Sequence, residues 1–162
     1  MMSQSVAAGS ARGHAMNARQ NKRANAEDIG IDERFISDMV EQFYASIRAD
    51  ELLGPIFAKR VADWPAHLLR MKQFWRSVLH NSGEFSGNPM AKHIAIPGLQ
   101  EAHFSQWLEL FYTNLRAMDT NPQAVSLIGE RARMIAESLF TGIAINRDGI
   151  DGASQGRSLP HV

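Results

Sequence analysis

Cysteine is absent from the chain's 162 residues. That omission removes disulfides, thiolate nucleophiles, iron–sulfur clusters, Cys-based zinc sites and thioether-linked prosthetic groups. Any metal must therefore rely on histidine, on carboxylate or on a prosthetic group held without a covalent link. Net charge is missing too: 17 Lys and Arg balance 17 Asp and Glu, which argues against nucleic acid as a partner, because such proteins usually carry a basic field. No apolar run approaches the roughly 18 residues of a membrane span. The N-terminus lacks the apolar core of a secretory signal. These absences lead us to expect a soluble, cytoplasmic chain with no membrane partner. Glu-x-x-His pairs, His-Glu-x-x-His, a Gly-rich phosphate loop and Gly-x-Ser-x-Gly are all lacking, so no standard catalytic pattern announces a reaction.

What is present is helical periodicity over one domain's worth of chain. Residues 1–27 set Arg12, Arg19, Lys22 and Arg23 against Glu27 with no apolar rhythm, and read as a flexible basic arm. Residues 146–162 are polar and rich in Gly and Ser and read as a disordered tail. Between them, 28–145 carries four amphipathic segments. The first runs from an N-cap at Asp32 to Ala49 and presents Phe35, Ile36, Met39, Val40, Phe43, Tyr44 and Ile47 on one broad face. Gly54-Pro55 then breaks the chain. The second starts near Asp63, with Pro65 suited to the first turn, and buries Trp64, Leu68, Met71, Phe74, Trp75 and Val78. Gly83, Gly87, Pro89, Pro97 and Gly98 interrupt the next stretch, leaving room for a short turn near 89–94. The third helix, about 101–118, aligns Phe104, Trp107, Leu108, Phe111 and Leu115. The fourth runs from Pro122, capped by Thr120 or Asn121, to about Ile145. The prediction is an all-α single domain.

Some polar-tipped groups fall on these apolar faces. His67 lies one turn before Met71 and shares the inward side of the second helix. Tyr44 follows Phe43, Trp107 sits mid-way along the third helix, and His93 lies in the irregular stretch before Ile94. A single histidine on an apolar face is more often a satisfied core residue than a ligand, and a Tyr or Trp there usually packs. Taken one at a time, none of the four defines a site. His14, His80, His103 and His161 read as surface or tail residues, with His103, beside Phe104, as a possible pocket neighbour.

Read together, the stretches FYASIRADELLGPIF (43–57), WPAHLLRMKQFWRSVL (64–79), GEFSGNPMAKH (83–93) and HFSQWLELF (103–111), with RARMIAESL (131–139) more weakly, give the chain a sequence that resembles the truncated hemoglobins. Within them it resembles the third subgroup. The other two subgroups usually show paired glycines at helix ends, and this chain has none. The resemblance covers about residues 30–145 and implies the truncated globin fold, two pairs of antiparallel helices sandwiching a heme b. It implies His93 as the proximal iron ligand and Phe57 as the aromatic residue packed on the porphyrin. It implies Tyr44, His67 and Trp107 as distal, ligand-stabilising groups, and Met71, Phe74 and Trp75 as pocket wall. Ile94 and Phe104 are expected beside the cofactor, and Arg70, one turn beyond His67, is a candidate for the propionates. With imidazole as the only axial protein ligand, the opposite iron position stays open to O2, NO or CO.

Three functions remain open at this stage. One is a redox enzyme of diatomic gases, oxidising nitric oxide to nitrate or handling peroxide with an external reductase. The second is a non-enzymatic oxygen carrier, buffer or sensor, the class that includes oxygen transport. The third is a heme-free helical interaction module on the same scaffold.

Overall fold

The computed structural model describes residues 3–162, and the side chains of all of these except 3–12, Ala15 and Gln155. Seven α-helices follow one another: α1 (Ser3–Asp28), α2 (Glu33–Ala49), α3 (Gly54–Arg60), α4 (Trp64–His80), α5 (Pro89–Ile94), α6 (Glu101–Ala117) and α7 (Pro122–Asp148). Two short 3-10 turns, Gly149–Gly152 and Gln155–Ser158, complete the chain. No strand occurs among the described residues, and no helix there is long and apolar enough to cross a membrane.

Local chemistry sets the helix starts. Asp32 accepts a hydrogen bond from the Phe35 N–H at 2.7 Å, Asp63 from Ala66 at 3.1 Å, Asn88 from Ala91 at 3.0 Å and Asn121 from Gln123 at 2.8 Å. Each bond satisfies one of the donors that a helix leaves orphaned at its first turn. Proline occupies the first turn of α3, α4, α5 and α7, where its missing N–H costs nothing. The break expected at Gly54-Pro55 is therefore the start of a helix, not only the end of one. Gly54 belongs there because a Cβ would stand 2.9 Å from the Arg48 carbonyl oxygen.

Helices α2 and α4 form one pair and α6 and α7 the other, with α2 also packed on α6. Ile36, Met39, Phe43 and Ile47 from α2 meet Leu108, Phe111 and Leu115 from α6 and Ile128 and Phe140 from α7, all essentially excluded from water. Their burial is the main term holding the two pairs together.

The arm, His80 and the tail are placed as follows, and the surface position expected of His80 needs correction. The basic arm is helical from Ser3, consistent with its Ala-rich composition; its residues 1–2 lie outside the described residues. From Gly13 to Asn25 the described side chains are exposed, while Ala26 and Ile31 are buried. His80, expected at the surface, is 3% exposed, and its Nε2 donates to the Ile31 carbonyl at 2.6 Å. The α1–α2 turn folds over the end of α4, a contact between segments too distant in sequence for periodicity to register. The polar tail takes a defined path. It doubles back along α7 and buries Leu159, which is 2% exposed.

Candidate functional site

A cavity of about 520 Å³ opens between the helix pairs, within the range typical of cofactor and ligand sites (~300–1,000 Å³). Every helix from α2 to α7 contributes to its lining. Tyr44 comes from α2, Phe57 from α3, His67, Arg70, Met71, Phe74 and Trp75 from α4, His93 from α5, and Phe104 and Trp107 from α6. Ten of the residues singled out in the sequence thus meet in one cavity. The exception is Ile94, which is 37% exposed and not part of the lining. One step along a helix turns a side chain by ~100°, so when His93 faces inward Ile94 faces out, and Ile96 lines the cavity instead.

The tautomer of His93 follows from its neighbour. Its Nδ1 lies 2.6 Å from the Pro89 carbonyl oxygen, and a carbonyl can only accept, so the proton resides on Nδ1. In the neutral ring the Nε2 lone pair is then free, as a metal-binding imidazole requires. The short α5 that carries it is fixed at its N-terminal end. Asn88 caps it, and it packs against α7 where Gly142 leaves a notch for Met90; a Cβ at 142 would collide with the Met90 sulfur.

The polar groups on the α2 and α4 sides are set in an aromatic box. The Tyr44 ring meets His67 edge-on at 5.1 Å and Phe57 at 5.9 Å, and Trp64 meets His67 edge-on at 5.5 Å. The Arg48 guanidinium sits 4.4 Å over the Trp64 ring, a cation–π contact that closes this corner. Trp107 is stacked on Phe111 and edge-on to Phe43. Burial pushes the Tyr44 phenol well above its ordinary range, so it stays protonated and able to donate. His67 is shifted down, first by desolvation and then by the charges of Arg70 and Lys92, so it is neutral near pH 7. Its Nε2 is buried without a hydrogen-bond partner. A buried polar atom left unpaired costs ~1–3 kcal/mol, so a polar partner brought within reach of it would be favoured.

The mouth is cationic. Arg60, Arg70 and Lys92 contribute to the lining, and no Asp or Glu does among the described residues. His103 joins them as anticipated. Its Nδ1 accepts from the Gln100 N–H at 3.0 Å, which puts the ring's proton on Nε2. Sequence reading missed Arg60, Lys92, Val61 and Phe85, because the mouth is assembled from loop-flanking positions that share no period. Ile135 and Leu139 come from α7, where helical periodicity does not separate cavity wall from core.

An apolar slot, an imidazole with a free Nε2 lone pair, and cations at the rim suit a planar, apolar iron porphyrin bearing two carboxylates. Such a slot between two helix pairs defines a globin. The chain belongs to the bacterial-like globin family, whose model matches residues 26–140. It is 33% identical over 110 residues, 65% of this chain and 86% of the relative, to the group 3 truncated hemoglobin ctb of Campylobacter jejuni. The crystal structure of the group III truncated hemoglobin from Campylobacter jejuni matches it with a TM-score of 0.64 and 32% identity, over 67% of this chain and 88% of that one. Together they make it a truncated hemoglobin of group III. Globins of this kind are heme proteins that bind diatomic gases, so membership implies a heme here.

Proposed function

We propose that the chain holds a heme b through His93 and uses a donor-rich distal pocket for redox chemistry between dioxygen and nitric oxide. The observation that carries this reading is the convergence of Tyr44, His67 and Trp107 on the same cavity as the His93 ring. Such a group, when bound, would supply an iron able to take a diatomic ligand.

The protein's residues do the rest. The Pro89 carbonyl holds the Nδ1 proton of His93, orienting the ring and raising its basicity as a ligand. Met71, Phe74, Trp75 and Phe104 exclude water from the slot. Arg60, Arg70, Lys92 and the Nε2–H of His103 offer charge-assisted partners to carboxylates at the mouth. Tyr44 and Trp107 would offer an O–H and an N–H to a partly negative diatomic guest in the cavity, and hydrogen bonds are electrostatically stronger in a dry pocket than in water. Neutral His67 can donate or accept with its unpaired nitrogen, according to tautomer.

No flavin- or nicotinamide-binding motif stands in the sequence, so the electrons that redox turnover of a heme needs would come from an external reductase. Stopped-flow mixing of the oxygenated protein with nitric oxide tests the proposal: rapid, stoichiometric nitrate formation is expected. Slow or incomplete conversion with readily reversible oxygen release would instead identify a carrier or sensor. A purified chain that shows no Soret band after hemin addition would overturn the cofactor assignment itself.

A further inference from the structure

The family match ends at residue 140, yet the chain beyond it is closely fitted to the domain. α7 stops at Gly149, whose φ of 69° and ψ of −154° suit a residue without a Cβ. The chain reverses there and runs antiparallel along α7. Contact is too close for side chains: a Cβ on Gly152 would lie 2.5 Å from the Ala144 carbonyl carbon, and one on Gly156 would lie 2.9 Å from the Glu137 carbonyl oxygen. At the far end, a Cβ on Gly129 of α7 would lie 2.6 Å from the Val162 Cβ. The two glycines in the tail and the one in the helix thus form matching grooves along one side of α7.

One side chain clasps this strap. Arg133 donates from Nε to the Leu159 carbonyl at 3.2 Å and from Nη2 to the Arg157 carbonyl at 3.0 Å, while its Nη1 pairs with Glu137 at 2.9 Å. Two further bonds reach α6: the Tyr112 hydroxyl donates to the Pro160 carbonyl at 2.8 Å, and Ser158 donates to Glu101 at 2.9 Å. The strap therefore ties α6 to α7. Those helices supply Phe104, Trp107, Ile135 and Leu139 to the cavity, and Arg133 lies two residues, ~200° of helical turn, from Ile135. Strap and cavity occupy opposite sides of α7.

We propose that residues 149–162 are a strap that fixes the spacing of α6 and α7 behind the cavity, with Arg133 as its positioning residue, and so governs porphyrin retention and the placement of Trp107. This rests on the reading that the cavity holds a heme and adds to it an element that the family description does not cover. The test uses the full-length chain loaded with hemin, with Arg133→Met and Gly156→Val compared with the parent. Three quantities are measured: tryptic cleavage after Arg157, the rate of hemin transfer to a scavenger apoglobin, and the infrared C–O stretch of the carbonmonoxy form, which reports the donors around the ligand.

Both variants are expected to be cut faster after Arg157, to release hemin about 10-fold faster, and to show a shifted or split C–O band at unchanged helix content. Arg133→Lys, keeping a donor, is expected to recover part of each effect. Should Gly156→Val fail to fold, Gly129→Ala displaces only the Val162 end and is expected to show the same pattern in weaker form. A strap freed in the protease assay with hemin transfer and C–O band unmoved overturns the inference alone. A parent chain that takes up no hemin overturns the heme reading and the inference with it.

Discussion

Tyr44 and His67 occupy adjoining positions in one aromatic box, and burial acts on them in opposite directions. Both are held in their neutral forms, the phenol by being kept protonated and the imidazole by being kept from protonating. For Tyr44 the expected consequence is kinetic. If its hydroxyl donates to a partly charged ligand, the bond contributes about 1.5–3 kcal/mol, and Tyr44→Phe should accelerate oxygen dissociation by about 10- to 150-fold. Flash or stopped-flow measurement of the off-rate checks this, and an unchanged rate would remove Tyr44 from the role.

For His67 the consequence is a pH dependence of stability. Its folded-state pKa is lowered from 6.5, so as pH falls through 6.5 the unfolded chain takes up a proton that the folded chain resists. Stability is therefore lost on acidification and unaffected above this window. In denaturant titrations between pH 7.5 and 5, values chosen to bracket about one pH unit or more either side of the ordinary histidine pKa, His67→Gln is expected to lose less stability than the parent.

The helices themselves were largely legible in the sequence, because long stripes at a helical period and Asp, Asn and Pro at helix starts report local structure directly. The starts at Asp32, Asp63 and Asn121 and the short α5 at Pro89–Ile94 all follow from such signals. Legibility failed where one segment borrows its structure from another. The α1–α2 turn over His80, the tail along α7 and the mouth cations Arg60 and Lys92 depend on contacts across tens of residues. The inward group of polar-tipped residues could be placed on helix faces but gained a meaning only as a constellation.

At this scale the most exposed dependency is α5, six residues long and too short to be stable by itself. Asn88→Ala removes its cap, at a cost of ~0.5–2 kcal/mol. Because His93 rides on that helix, the loss should appear as faster hemin release and a broadened ferrous spectrum, with little change in the circular dichroism of the whole chain.

For the molecule as a whole, the two helix pairs meet at a shared apolar core, and the cavity opens between them. A guest that binds only the folded form stabilises it in proportion to the logarithm of its concentration over Kd, about 2.7 kcal/mol at a hundredfold excess over Kd. Hemin addition should accordingly raise the thermal midpoint, and calorimetry at several hemin concentrations would show the midpoint climbing with each increment.

The carboxylate-free rim built from Arg60, Arg70 and Lys92 has a consequence for how the domain is loaded. On a chain whose formal charge is zero, three cations gathered at one opening make a local attractor for a dianionic porphyrin, and such steering weakens beyond ~8 Å at physiological ionic strength. Capture of hemin should slow as potassium chloride is added, and the dimethyl ester, stripped of its charges, should enter at a rate indifferent to salt.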